Sequence, residues 1–234
     1  MPAPTNYLDY DSIFTAYYTQ FRADSDVPIN TDDEYTVGLR LANEAINYWA
    51  NYEGTYWREL FTTNQTDGSG AQTIVTAQRT YAGPTNFREA GGKIQILDTN
   101  GSVLTSYNRI EPHEAQFKSD NAPYAFFTAD PSSGWTLHLN PAPQAALNGK
   151  DIEYVYYKTP TLLSTGTSKT EMSNPYFIVH RILANQYRAA RNPYYASALE
   201  EADNLIKGMQ LDNNSGSWDN PPSLNDTSGS VWGV

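Results

Sequence analysis

The apolar periodicity of this chain changes twice, and that change constrains the fold more than any single motif. Tyr35, Leu39, Ala42, Ile46, Trp49, Tyr56 and Leu60 recur at the spacing of one helix face. Between residues 72 and 160 the repeat shortens to two. Ile94 and Ile96 alternate with Lys93 and Gln95, and Trp135, Leu137 and Leu139 alternate with Thr136 and His138. From residue 174 the helical repeat returns with Phe177, Ile178, Ile182, Leu183 and Tyr187. A stripe with helical period cannot bury one face as a strand, nor the reverse, so the order helix, sheet, helix is imposed.

Local signals place the boundaries. A first helix is predicted over 8–23 from Ile13, Tyr17 and Phe21. It ends at DSDVP, where Pro28 biases Val27 away from the helical region. A long second helix is predicted over 32–62, about seven turns. Thr31 and Glu34 have capping-box spacing, and Asp32 and Asp33 suit the positive end of the helix dipole. Gly38 and Gly54 each weaken that helix by about 1 kcal/mol relative to Ala. Trp57 and Phe61 widen its stripe. Six β-prone runs follow, at 72–78, 93–98, 103–111, 124–130, 135–141 and 151–160. Turn signals separate them at Gly91-Gly92, Thr99–Gly101, Asp130–Gly134 and Asn148-Gly149, which reads as a mostly antiparallel sheet. After a Ser/Thr-rich link, Asn174 caps and Pro175 opens a helix over 174–191. Asn192-Pro193 repeats the device for a helix over 193–207, carried by Tyr195, Ala198, Leu199, Ala202, Leu205 and Ile206, with Gly208 as its C-cap.

The expected fold class is therefore α+β. An antiparallel helical bundle is formed by residues 1–62 and 174–208. A mostly antiparallel β domain with its link, 63–173, is inserted into it, and an extended arm, 209–234, follows. The arm is rich in Asn, Ser, Gly, Asp and Pro, with isolated Leu211, Trp218, Leu224, Val231 and Trp232. Such well-separated apolar residues cannot offset about 1–2 kcal/mol of backbone ordering per residue. They read as anchors for a neighbouring chain, and Pro221 and Pro222 stiffen the segment between them.

Charge and composition exclude several functions. The net charge is −11, and residues 1–62 hold ten acids against three bases. That is the wrong sign for a chain that grips nucleic acid. Cysteine is absent, which removes disulfides, thiol catalysis and thiolate metal sites. His113, His138 and His180 have no metal-binding spacing, and there is no GxSxG, Walker or GxGxxG motif. No catalytic residue, metal or cofactor is expected. Asp212, Asn214, Gly216 and Asp219 loosely resemble a calcium loop but lack its closing Glu, and read as a linker. Tyr154, Tyr156 and Tyr157 either form a stacking platform or pack on alternate faces of a strand; the missing basic surround favours packing. Arg181 and Arg188 are seven residues apart on one helix face, with Arg191 beyond. They either face DNA or pair with acids of a neighbouring subunit, and the acidic N-terminal part favours pairing. No run of about 18 apolar residues exists, so no membrane span is expected, and MPAPTNYLDYD lacks the form of a secretory signal.

The order of parts carries a resemblance. An acid-capped helix precedes a β insertion, then HLNPAPQAALNGKDIEYVYYKTPTLLS (138–164), the helix pair NPYFIVHRILANQYRAARNPYYASALEEADNLI (174–206) and a polar tail. The strand–Pro-x-Pro–strand–Tyr-Tyr-x-x-Pro-x-Leu cadence into helices resembles the head-to-tail connector, or adaptor, proteins of tailed bacteriophages. The resemblance covers about residues 8–208. It implies a ring, usually of twelve copies, docked under the portal, with a C-terminal arm along the portal and the β part toward the next neck or tail protein. It implies DNA passing through a channel without specific binding, no enzyme activity, no membrane, and residence in the virion neck after assembly in the host cytoplasm. The large β insertion departs from the smallest adaptors. Two other readings are a carbohydrate-binding β module with helical flanks, and another neck or tail protein such as a stopper or tail-tube subunit.

Overall fold

A computed structural model describes residues 8–22, 26–67 and 72–215. The architecture is α+β, with two compact units: one of residues up to Leu60 together with those from Pro160 on, the other of Phe61–Thr159. No helix among the described residues is long and apolar enough to cross a membrane.

The first unit is helical. It holds α1 (Tyr10–Arg22), α2 (Asp33–Ala50), α4 (Tyr176–Ala189) and α5 (Tyr195–Ser215); the four-residue α3 (Asn64–Asp67) belongs to the second. α4 is the hub, packing against α1, α2 and α5. Its buried Phe177, Ile178, Val179, Ile182 and Leu183 meet Ile13, Phe14 and Tyr17 of α1 and Ala42, Ile46 and Trp49 of α2 in one apolar interior. The two Asn-Pro devices work alike. Asn174 Oδ1 accepts from the Tyr176 amide at 3.2 Å, and Asn192 Oδ1 accepts from the Tyr194 amide at 3.0 Å. Each spares an unpaired donor at a helix start. The stretch leading into α4 is pinned to the helices by a reciprocal pair between Asn43 and the Leu163 backbone, at 2.9 and 2.8 Å.

Three helix expectations are corrected. The second helix stops at Ala50, not near 62: two short 3₁₀ turns (Tyr52–Gly54 and Arg58–Leu60) and a strand follow. Glu53 and Gly54 both have positive φ, 46° and 68°, and turn the chain back. Trp57 then lies on Trp49, with ring centres 5.3 Å apart and its Nε1–H donated to the Trp49 carbonyl at 2.7 Å. The fold-back brings the two indoles together and buries both completely. The capping box at Thr31 and Glu34 is absent; Asp32 is the N-cap, and its carboxylate accepts from the Ile29 amide instead. At the other end, α5 runs through Gly208 to Ser215: Met209 is buried, and Gln210 and Asn213 bond to Thr55, Tyr56 and Arg58.

The second unit is a curled eight-stranded sheet. Its strands are β1 (Phe61–Thr63), β2 (Gln72–Thr73), β3 (Thr80–Ala82), β4 (Phe87–Leu97), β5 (Val103–Arg109), β6 (Tyr124–Asp130), β7 (Gly134–Asn140) and β8 (Asp151–Lys158). Their order is β1-β8-β4-β5-β6-β7-β3, with β2 also on β8. All pairs are antiparallel except β5 with β6. Phe87 of β4 lies 4.7 Å from Trp135 of β7, ring centre to ring centre. Three strand spacings separate those strands, about 14 Å if the sheet were flat. The sheet therefore curls around Phe87, which also stacks on Phe127 and Tyr156. Gly91-Gly92, read above as a turn, lies inside β4: the register shifts between Gly91 and Gln95, and Gly92 takes φ 63°. This is a bulge rather than a reversal, and it bends the longest strand into the curl. Of the run 72–78 only Gln72–Thr73 is strand. β1 and β3, each three residues long, carry no alternation that a sequence could show.

Candidate functional site

The residues with chemical potential are dispersed. His113 is exposed on the 3₁₀ turn Pro112–Phe117. His138 sits in β7 with its Nε2 2.8 Å from Thr128 Oγ1 and its ring 4.6 Å from that of Phe126; burial lowers its pKa. His180 is half-buried in α4, where burial lowers its pKa and Glu201 opposes the shift. Among the described residues no group of three or more His, Asp or Glu could hold a metal ion. A groove of about 550 Å³ runs beside α1, lined by Phe14, Ile29, Tyr35 and Thr165–Thr167. Its one carboxylate from α1, Asp11, is engaged by the Tyr35 hydroxyl at 2.6 Å, and burial, reinforced by that contact, pushes the Tyr35 pKa up.

Burial resolves the alternative left open for the tyrosines, and helical structure corrects the linker reading of Asp212 and Asn214. Tyr154, Tyr156 and Tyr157 are all buried, Tyr154 and Tyr156 in the sheet core and Tyr157 against Phe61. Rings without free faces offer no stacking platform. Asp212 and Asn214 lie on α5 rather than in a loop, and the Asp212 carbonyl accepts from the Arg58 guanidinium at 2.8 Å. A helix cannot wrap ligands around one ion as a calcium loop does. Gly216 and Asp219 lie outside the described residues.

The arginines of the third helical segment differ in what they touch. The guanidinium carbon of Arg181 sits 4.2 Å from the centre of the Tyr48 ring, which itself stacks on Phe177. That cation–π contact gives Arg181 a partner inside the chain. Arg188 is exposed in the last turn of α4, where a cation suits the negative end of the helix dipole. Arg191 lies beyond the helix with φ 53°. The Asn192 amide bonds to the Tyr187 carbonyl at 2.8 Å and the Arg191 amide to that of Arg188 at 3.2 Å. This is a Schellman motif whose left-handed position, usually Gly, is held by an arginine.

Around this corner the structure assembles a group that periodicity did not single out. Tyr17, Phe21, Tyr187 and Tyr194 form a ladder of rings, with centres 5.8, 5.6 and 6.2 Å apart along it. Arg22 covers the Phe21 ring at 5.4 Å and pairs with Glu34 at 3.0 Å. Tyr194 is 65% exposed. Tyr17, Phe21 and Tyr187 stand in the predicted helical stripes, but nothing along the sequence joins them to Tyr194. A second exposed aromatic, Phe117 at 80%, tips the 3₁₀ turn between β5 and β6, whose start is held by a capping box of Glu111 and Glu114.

Of the expected anchors, Leu211 is on α5 and 69% exposed. Trp218, Pro221, Pro222, Leu224, Val231 and Trp232 lie outside the described residues. The last turns of α5 are held by Arg58, whose amide donates to Asn213 Oδ1 at 3.0 Å, and by Asn213 Nδ2 donating to the Tyr56 carbonyl at 2.9 Å. Among the described residues, exposed aromatic and cationic groups such as Tyr194, Phe117, Arg188 and Arg191 are the ones available for contact.

Residues 18–221 match the family described as SU10 adaptor protein. No curated protein matches the chain.

Proposed function

The chain belongs to the SU10 adaptor protein family and is a structural adaptor of a phage particle; we propose that it forms the ring that joins the portal of the DNA-filled head to the tail. The family match carries this reading, because it spans both helical segments and the sheet between them. In the proposal the ring holds about twelve copies, a number that rests on the connector resemblance. The helical residues 1–62 and 174–208 surround the channel, and the inserted part, 63–173, faces the next neck or tail protein.

Net acidity supports a channel of this kind. A wall with net charge −11 per chain does not hold phosphates, so duplex DNA can slide past it. Arg188 and Arg191 are the exposed cations left to pair across subunits or to meet the channel, Arg181 being turned onto Tyr48. The segment beyond α5 is proposed as the attachment arm. Trp218, Leu224, Val231 and Trp232 are its anchors on the portal or a neighbouring adaptor, joined by the exposed Leu211 in the last turns of α5, and Pro221 and Pro222 lower the cost of ordering it. No catalytic step, metal or cofactor has a part in this function, and assembly takes place in the host cytoplasm before the ring joins the virion.

Electron microscopy of the assembled protein tests the ring. A closed ring with a central channel wide enough for duplex DNA is the expected result; a monomer at all concentrations, or an assembly without a channel, refutes it. Truncation after Ser215 tests the arm. The body should keep its circular dichroism while attachment to the portal is lost, and normal attachment of the truncated protein refutes the arm's role.

A further inference from the structure

Resting on the ring reading above, we propose that the α4–α5 corner is the receptor for the Trp218–Pro222 stretch of a second copy of this chain. The corner combines two features. Tyr194 presents a largely exposed ring at the end of the ladder, backed by the half-buried Tyr187 and Phe21. Arg188 and Arg191 are exposed beside them and make no ion pair among the described residues. Arg191 occupies a left-handed position at which Gly would be free of strain. A long cation held there at a conformational cost of about 1 kcal/mol is the kind of local strain that clusters at contact sites.

Such a surface takes a ligand that is both aromatic and anionic. A carboxylate accepts the planar fork of a guanidinium. Trp stacks on Arg or Tyr, and a Pro-Pro pair lies well on exposed rings. Residues 209–234 hold three acids and no base, and Trp218, Asp219, Pro221 and Pro222 bring all three chemistries within five residues. The match in charge stands out in this molecule, since acids outnumber bases 26 to 15.

Reach decides which copy supplies the segment. α5 has 21 residues, so its ends are about 30 Å apart. The corner lies at the first end and Ser215 at the last. Trp218 is three residues past Ser215 and reaches about 10 Å from it. It cannot touch the corner of its own chain, so the Trp218 that fills this surface comes from another copy. Passed from each copy to the next, such contacts satisfy every corner and every tail in a closed ring.

The test uses the full-length chain with a photoreactive phenylalanine analogue in place of Tyr194, in an equal mixture of isotopically light and heavy copies. Light–heavy cross-links from position 194 to peptides within 216–234 are expected. Arg188→Glu with Arg191→Glu should cut their yield about tenfold. Adding Asp219→Lys and Asp226→Lys to that protein should restore it. Far-UV circular dichroism establishes that each variant is folded; should the double variant unfold, loss of the cross-links on raising salt replaces it. Cross-links only within one copy, cross-links that survive charge reversal or high salt, or capture of duplex DNA in place of the tail would each overturn the proposal. Rings in which position 194 captures no tail peptide would refute this inference and leave the adaptor ring standing. Copies that never associate would refute both.

Discussion

Two glycine-to-alanine substitutions, both inside helices, should move stability in opposite directions. Gly38 is buried in α2, and a Cβ there would stand 2.6 and 2.7 Å from ring carbons of Phe14 and 2.8 Å from the Tyr10 hydroxyl oxygen. Neither neighbour can give way easily. Tyr10 is fully buried and its hydroxyl donates to the Tyr35 carbonyl at 2.7 Å. Phe14 is enclosed by Tyr10, Tyr17, Tyr18 and Tyr35, with ring centres 5.0 to 5.8 Å away. Overpacking of this kind costs about 1–3 kcal/mol. The gain from replacing Gly by Ala in a helix interior is about 1 kcal/mol. The steric term wins, and Gly38→Ala should lose about 1 kcal/mol. Gly208 lies within α5, has ordinary helical φ, and has nothing within 4 Å of the added carbon. Gly208→Ala should therefore keep the whole propensity gain of about 1 kcal/mol. The two variants should differ by about 2 kcal/mol in urea denaturation followed by far-UV circular dichroism, or about 4–8 °C in melting temperature for a chain of this size. Gly38→Ala as stable as the parent would show that α1 and α2 are not in van der Waals contact at this point. A destabilising Gly208→Ala would show that the helix ends there after all.

Three further outcomes follow from single contacts. Trp57→Ala removes a fully buried indole and its bond to the Trp49 carbonyl, and should cost about 3–5 kcal/mol, read as an early urea midpoint. Arg58→Ala should leave global stability nearly unchanged while speeding amide exchange over residues 209–215, because only the guanidinium bond to the Asp212 carbonyl is lost. The side-chain and backbone bonds from Ser132, with the Ser133 amide, hold the Asp130 carboxyl at a pKa of about 2. Its folded value is below its unfolded one, so the associated stability is present above about pH 4 and is lost as pH falls toward 2. An NMR titration should find that midpoint, and Ser132→Ala should raise it.

Several elements were legible because their signals are local. The stripe of Ile13 and Tyr17, the two Asn-Pro starts, and the alternation of Trp135, Leu137 and Leu139 depend on residues within one or two turns of each other. Each corresponds to an element of the structure. The burial of the Tyr154–Tyr157 run was also readable, since it needs only alternation. The adaptor resemblance rested on the order of such local elements, and the family match agrees with it.

What the sequence determined by itself was the succession of helix, sheet and helix, because hydrophobic period is a property of neighbours along the chain. Tertiary structure alone decided where that periodicity is obeyed. The stripe from Tyr35 continues past Trp49 to Leu60, yet the chain turns at Glu53 and Gly54, since only a reversal buries Trp57 on Trp49. Gly91-Gly92 carries the signature of a turn, but pairing with β8 on both sides of it makes a bulge. Gly208 looks like a stop, but Met209 finds a buried place one residue later and the helix goes on. The corner of Phe21, Tyr187, Arg188, Arg191 and Tyr194 joins positions more than 160 residues apart. No window along the chain contains it, and only the packing of α1, α4 and α5 brings those rings and charges onto one surface.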